Sequence, residues 1–307
     1  MKLQAAFDKP QRAQADALVL PLFSDGSGPA SLEAVDRMLG GVIGEMRTGG
    51  EIKGREGDEL VLPSSRKLQT RRILLMGVGE SSLFGAASVV KYVGGAVRAA
   101  AKRGFKSLAI VLPEHADIRD EDAGEAAATG AIMATFDQAP YRTKRDSKPD
   151  SLKTITLLVS HSQALSGLKA GIERGIILGE AANAARQMVN TPSNEMTPTH
   201  LAERASEFAK KHGLKATVLD QPEMKQLGMG SFLSVAAGSD EPPKLIVLEY
   251  QGDKKSKTVL GLVGKGVTFD TGGISLKPAQ DMDAMKGDMA GGATVIAAMA
   301  AIGRLKP

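Results

Sequence analysis

Cysteine and tryptophan are both missing from the 307 residues, and the chain has only three tyrosines and eight phenylalanines. Without thiols there can be no disulfides, thiolate metal ligands or cysteine nucleophile, and nothing argues for an oxidising compartment. With 4% aromatic residues, the cores must rely on aliphatic side chains, alanine and 13 methionines. Histidine is nearly as scarce: His115, His161, His200 and His212 are the full set. None falls in a His-Glu-x-x-His pair, which excludes a helix-borne zinc protease site, and His200 and His212 read as surface residues of one helix. No Gly-x-Ser-x-Gly elbow supports a serine hydrolase. Gly264-Lys265-Gly266 has the look of a phosphate-binding loop, but glycine stands where serine or threonine should follow the lysine, and no glycine lies five positions earlier.

Long apolar runs are missing too. The residues after Met1 lack the apolar core of a signal peptide, and no run approaches a membrane span in length, so a cytoplasmic protein is expected. Hydrophobic content of 42% and charged content of 24% fit a globular chain long enough for two domains. A net charge of +4 and a pI near 9.1 permit contact with nucleic acid. The basic residues are dispersed, however. Arg142-Thr143-Lys144-Arg145 and Lys254-Lys255-Ser256-Lys257 read as solvated loop charge, without a nucleic-acid-binding motif around them.

The first half alternates between two periodicities. Residues 17–23, 72–78, 107–113 and 153–159 are short runs rich in Val, Ile and Leu, as buried strands should be. Residues 31–46 and 85–103 have helical spacing, the second rich in Ala and Gly and suited to close packing on a sheet. This rhythm predicts a smaller N-terminal α/β domain with a mostly parallel sheet over residues 1–160. Gly77 and Gly79 follow one strand, and a simple turn is favoured there over a nucleotide phosphate site because the dinucleotide fingerprint is incomplete. Residues 142–150 predict an exposed loop. A long Ala-rich helix over 165–189, stopped by Asn190-Thr191-Pro192, makes 161–190 a linking helix. A second βα series then opens an α/β domain over 191–307, with helix at 199–212, strand at 215–219, short helix at 223–228 and strand at 244–250. No internal repeat of solenoid period is present.

The chemistry concentrates near the end. An apolar strand is expected over 258–263, leading into Val263-Gly264-Lys265-Gly266-Val267-Thr268-Phe269-Asp270-Thr271-Gly272-Gly273 and then Ile274-Ser275-Leu276-Lys277-Pro278. Lys286-Gly287-Asp288-Met289 follows, and the small-residue run 290–301 reads as a helix. Charges at a strand's C-terminal end lie where open α/β sheets place their sites. Asp270 and Asp288 are hard oxygen donors suited to divalent cations. A lysine there can stabilise an oxyanion when protonated or act as a ligand when neutral, and Lys265 and Lys277 can divide those tasks. The same residues also suit a solvated polar loop.

Residues 264–289 resemble the signature half of the cytosolic leucyl aminopeptidase family, two-metal exopeptidases. Val189-Asn190-Thr191-Pro192-Ser193-Asn194 with Thr197-Pro198, and Gly228-Met229-Gly230 running to Pro242-Pro243-Lys244-Leu245, are similar to the start of that family's catalytic domain. The resemblance implies a metal-dependent aminopeptidase that releases N-terminal leucine and other large aliphatic residues from peptides. It implies Lys265, Asp270 and Asp288 as ligands of two divalent ions, Mn²⁺ or Zn²⁺, with Asp270 shared between them. Lys277 becomes the electrophile that stabilises the tetrahedral gem-diolate. Met285 lines the pocket for the substrate's first side chain, and Asp288 lies near its free amine. Family members assemble as hexamers. Their second motif, Asn-Thr-Asp-Ala-Glu-Gly-Arg, supplies further ligands and an arginine for bicarbonate, and it does not occur here. The expectation is therefore a chain holding only the first part of the catalytic domain, inactive as residues 1–307 alone. The rival expectation is a DNA-binding or scaffold protein on the same fold, since some bacterial members of the family bind DNA.

Overall fold

The computed structural model describes residues 1–115, 117–138, 140–141 and 152–307, so the loop expected at 142–150, with its basic cluster, lies outside the described residues. The chain forms two compact units, Met1–Gly179 and Glu180–Pro307.

The first unit is built on β1 (Lys2–Phe7), β2 (Ala17–Phe23), β3 (Glu59–Pro63), β4 (Arg72–Gly79), β5 (Ser107–Val111) and β6 (Thr154–Val159). They form one sheet in the order β1-β6-β5-β2-β4-β3, parallel except for β3, which runs antiparallel to β4. Strand alternation sends Ala17, Val19 and Phe23 to one face and Leu18, Leu20 and Leu22 to the other, and both faces are buried. α1 (Ala30–Met38) and α2 (Val42–Thr48) cover the second face, while α3 (Ala86–Arg103), α4 (Asp120–Met133) and the start of α5 (Ala164–Asn190) cover the first. The single helix expected at 31–46 is two helices. Gly40 and Gly41 take φ of 80° and 88°, which ends α1. The Asp36 carboxylate then accepts from Ile43 N at 2.8 Å and Gly44 N at 3.2 Å, starting α2. Gly77 and Gly79 close β4 instead of following it, and Gly77 presses on the Arg55 carbonyl.

Pro21 sits inside β2, fully buried, with consequences for its neighbours. β2 pairs with β4 along its whole length, but with β5 only from Ala17 to Val19. In that parallel register the next bond would run from the residue 21 N–H to the Val111 carbonyl, and proline has no N–H. The buried Tyr92 hydroxyl, reaching across from α3, donates to Val111 O at 2.9 Å and satisfies the acceptor that proline leaves.

Helices α4 and α5 touch backbone to backbone. Gly167, Gly171, Gly175 and Gly179 recur every four residues and so share one face of α5. A Cβ on Gly171 would strike the Glu121 carbonyl and lie 2.7 Å from Glu125 N, and one on Gly175 would strike the Glu125 carbonyl. Arg174 then bridges the pair through Glu121 and Glu125, the latter at 2.9 Å.

The second unit contains the end of α5, α6 (Pro198–His212), β7 (Lys215–Leu219), α7 (Gln221–Gln226), α8 (Gly230–Val235), β8 (Leu245–Glu249), a 3-10 segment (Met282–Met289) and α9 (Ala290–Leu305). β7 and β8 pair antiparallel. Met188, Met196, Leu201, Ala205, Met289, Ala293, Ile296 and Ala297 form its core, as expected of a chain short of aromatics. The continuous helical stretch Met282–Leu305 is, by length and composition, long and apolar enough to cross a membrane. The expectation that no segment approaches that length is corrected here, although α9 buries Ala293, Ile296, Ala297, Ala300 and Ala301 as a core helix does.

The strand expected at 258–263 is not formed. The stretch 251–281 has no helix or strand, and Val259 and Val263 are 89% and 97% exposed. An apolar run becomes a strand only when a neighbour takes its N–H and C=O groups, and no ladder partner lies beside it among the described residues.

Two outcomes follow from the packing of the first unit. Gly171→Ala gains about 1 kcal/mol of helix propensity. The Cβ collision with α4 outweighs it, so the net loss should reach about 2 kcal/mol in chemical denaturation. Tyr92→Phe strands the Val111 carbonyl and should cost about 1–3 kcal/mol in the same measurement, whereas loss of a solvent-exposed hydroxyl would leave the midpoint unmoved.

Candidate metal and peptide site

The first turn of α9 fixes the backbone on which the charged residues stand. Gly292 N donates to Lys265 O at 2.7 Å. A Cβ on Gly264 would strike the Gly291 carbonyl, and one on Gly292 would lie 3.1 Å from Lys265 O. Three glycines thus let the 264–266 segment lie directly on the helix, just after the 3-10 segment that carries Met285 and Asp288. Lys265 Nζ stands 2.8 Å from Asp288 Oδ2. That oxygen is buried and makes no well-directed hydrogen bond, so the ion pair is its sole recorded partner. The Asp288 carboxylate holds the Lys265 pKa above the usual lysine value.

The second pair sits on a loop. Gly272 and Gly273 take φ of 89° and 70° at its tip, and Lys277 N closes it on Thr271 O at 2.9 Å. Inside, Lys277 Nζ contacts Asp270 Oδ2 at 2.6 Å and Met285 Sδ at 3.1 Å, while Asp270 Oδ1 accepts from Gly272 N at 2.9 Å. The lysine first, and the Gly272 N–H second, hold the Asp270 carboxyl below the usual carboxylate range. The Lys265 charge acts on Asp270 as well, so the two pairs adjoin. The structure therefore brings Asp270, Lys277 and Met285 together, sets Lys265 on Asp288, and places the two groups within electrostatic reach.

Lys286 was not singled out by the sequence. Its Nζ donates to Asn190 O at 3.2 Å, tying the 3-10 segment to the end of α5. Its signal was its place between Met285 and Asp288, next to a helix stop at Asn190-Thr191-Pro192. His200 is bonded at 2.9 Å to Thr197 Oγ1, the N-cap of α6.

The donors present suit one hard cation in part. Asp270, Asp288 and Lys265 are the candidate donors, and the buried Asp288 Oδ2 has only the Lys265 ammonium as its recorded partner. Among the described residues no group of three or more His, Cys, Asp or Glu converges. A second cation would find only Asp270, too little for ions that prefer several oxygens. A hollow of about 1840 Å³ runs between β8, α9 and residues 258–269. It reaches Lys265 but not Asp270, Lys277, Met285 or Asp288, and it opens because 258–263 stands off β8.

Comparison with known proteins matches these features. Residues 19–145 match the model of the cytosol aminopeptidase family's N-terminal domain, and residues 183–307 match that of its catalytic domain. A probable cytosol aminopeptidase of Alkaliphilus metalliredigens is 38% identical over 312 residues, covering 100% of this chain and 62% of the relative. One of Solibacter usitatus is 41% identical over 295 residues, covering 96% and 58%. A solved tomato leucine aminopeptidase variant superposes with a TM-score of 0.84 at 26% identity, over 100% of this chain and 60% of that one. The bottromycin maturation enzyme BotP in complex with Mn superposes with a TM-score of 0.75 at 29% identity, over 95% and 56%. The chain thus spans about three fifths of the length of these relatives. With both domain models matched along most of its residues, the chain belongs to the cytosol aminopeptidase family.

Proposed function

We propose that these residues form the N-terminal domain (1–160), the linking helix (161–190) and the first part of the catalytic domain (191–307) of a metal-dependent aminopeptidase. The observation that carries the reading is the pairing of Lys277 with Asp270 and of Lys265 with Asp288 around Met285. Its substrates are peptides, with leucine and other large aliphatic residues preferred at the N-terminus. Two divalent ions, Mn²⁺ or Zn²⁺, are the expected cofactors, with bicarbonate as an accessory base. A cytoplasmic homo-hexamer is the expected assembly. The Mn bound by BotP supports the metal assignment.

In this reading Asp270 and Asp288 hold the cations, with Lys265 as a third donor. Bound divalent ions supply Lewis acidity and a more acidic water at neutral pH. Lys277 would offer its ammonium to the oxyanion that develops on the scissile carbonyl. Asp270, if it held a cation, would bind Lys277 less strongly and leave its ammonium available for that task. Met285, already in contact with Lys277, lines the pocket for the first side chain, and the Asp288 carboxylate orients the substrate's free amine. A DNA-binding or scaffold role is not favoured, because the matched relatives are named aminopeptidases and the four charged residues are retained as two pairs.

Mn²⁺ titration calorimetry separates the roles. Asp270→Ala should abolish binding to the 307-residue chain, while Lys277→Ala should leave it intact or tighter. Loss of metal in both variants contradicts the division of labour. With one and three protein donors for the two ions, the 307 residues alone should hydrolyse a leucyl-peptide negligibly. Mn²⁺-dependent turnover by a preparation whose intact mass is 32.1 kDa contradicts that expectation.

A further inference from the structure

We infer that the hollow at the C-terminal end of β2 is a binding site for a small phosphate-bearing molecule. It has a volume of about 350 Å³ and is lined by Ser24, Arg47, Ile52, Lys53 and Arg55. Three basic residues thus line one small space, which favours an anion there. No ion pair is recorded among the described residues for Arg47, Lys53 or Arg55. Arg47 Nη2 donates only to the Phe23 carbonyl, at 3.2 Å.

The neighbouring carboxylates are committed elsewhere. Asp58 Oδ2 accepts the backbone N–H groups of Lys53 and Arg55, at 3.1 and 3.0 Å. Glu56 pairs with Lys91 at 2.8 Å. Asp25 accepts from Ser27 and Ser81, whose hydroxyls hold its carboxyl well below the usual range. Glu51 points toward Gly49.

The loop that presents the cations is held in place before any ligand arrives. Gly54 takes φ of 74° and lies so close to the chain of β2 that a Cβ would stand 2.7 Å from the Phe23 carbonyl. Gly79 N bonds to Gly54 O at 2.9 Å and Gly77 N to Asp58 O at 2.8 Å, so the loop is stitched to β4. Buried Ile52 forms the floor. The backbone of the loop is fixed in advance, so binding has only the exposed side chains to order. The position suits a ligand, since parallel α/β sheets bind theirs beyond the carboxyl ends of the strands. Two guanidinium forks and an ammonium match a dianionic phosphate better than a single carboxylate. The three basic residues line one hollow, whereas a nucleic-acid backbone calls for a basic stripe.

The test is calorimetric titration of the 307-residue chain with inorganic phosphate and with pyrophosphate at low ionic strength, beside a chloride control and a short DNA duplex. Saturable one-to-one binding is expected, and Lys53→Met with Arg55→Met should weaken it about tenfold or more. Both side chains are exposed, and unchanged circular dichroism verifies the fold. The proposal is overturned by absent or non-saturating heats, by equal displacement with chloride, or by a double variant that binds phosphate as the parent does. It is equally overturned if the duplex binds through these residues and free phosphate does not.

Discussion

Backbone laid directly on backbone, where no Cβ stands between, is the constraint on which both units depend. In the first, Gly171 and Gly175 let α5 rest on the carbonyls of α4. In the second, Gly264, Gly291 and Gly292 let the 264–266 segment rest on the first turn of α9. A chain with no tryptophan, few other aromatics and 35 glycines gains density by close approach instead of large side chains. Such contacts have little tolerance. A methyl group has nowhere to go when the obstacle is a carbonyl in a helix.

The site inherits its geometry from that contact. Lys265 is placed over Asp288 because its own carbonyl is bonded to Gly292 N. Asp270 and Lys277 then close a second pair on a loop that turns through two glycines. Two carboxylates and two lysines balance each other, so the unliganded site carries no net charge to repel a cation. Each carboxylate is nevertheless held by a single ammonium, and a divalent ion competes for it at higher charge. The hollow beside β2 differs in that its three basic residues have no ion pair among the described residues.

Much of the fold was legible, and the exceptions have physical causes. Continuous apolar runs such as β2, β4, β5 and β6 announced a buried, mostly parallel sheet, because strands covered on both faces need no polar side. β1 and β3 lie at its edges, are half exposed, and so carry no such run. α4 is nearly all small residues with an acidic first turn, and its periodicity is faint. The break in 31–46 was written in Gly40-Gly41, but only the capping carboxylate of Asp36 makes it a new start. The glycines of α5 were visible at a four-residue period, yet their meaning depends on which helix they face. Residues 258–263 gave the opposite error: the run has the composition of a strand and lacks a neighbour to pair with. The candidate site residues were picked out through resemblance to a family, since spacing alone left a solvated loop equally open. Lys286 acts through a backbone carbonyl far away in sequence, so its place between Met285 and Asp288 did not reveal its partner.

The central claim is that glycine packing at the start of α9 sets the proposed cation site. Its most direct test is a Mn²⁺ titration followed by electron paramagnetic resonance on Gly264→Val, a variant that removes no donor atom. Displacing the 264–266 segment from Gly291 should separate Lys265 from Asp288, and the account predicts affinity lowered about tenfold or more with the circular dichroism retained. Unchanged Mn²⁺ affinity in a folded Gly264→Val protein would contradict it.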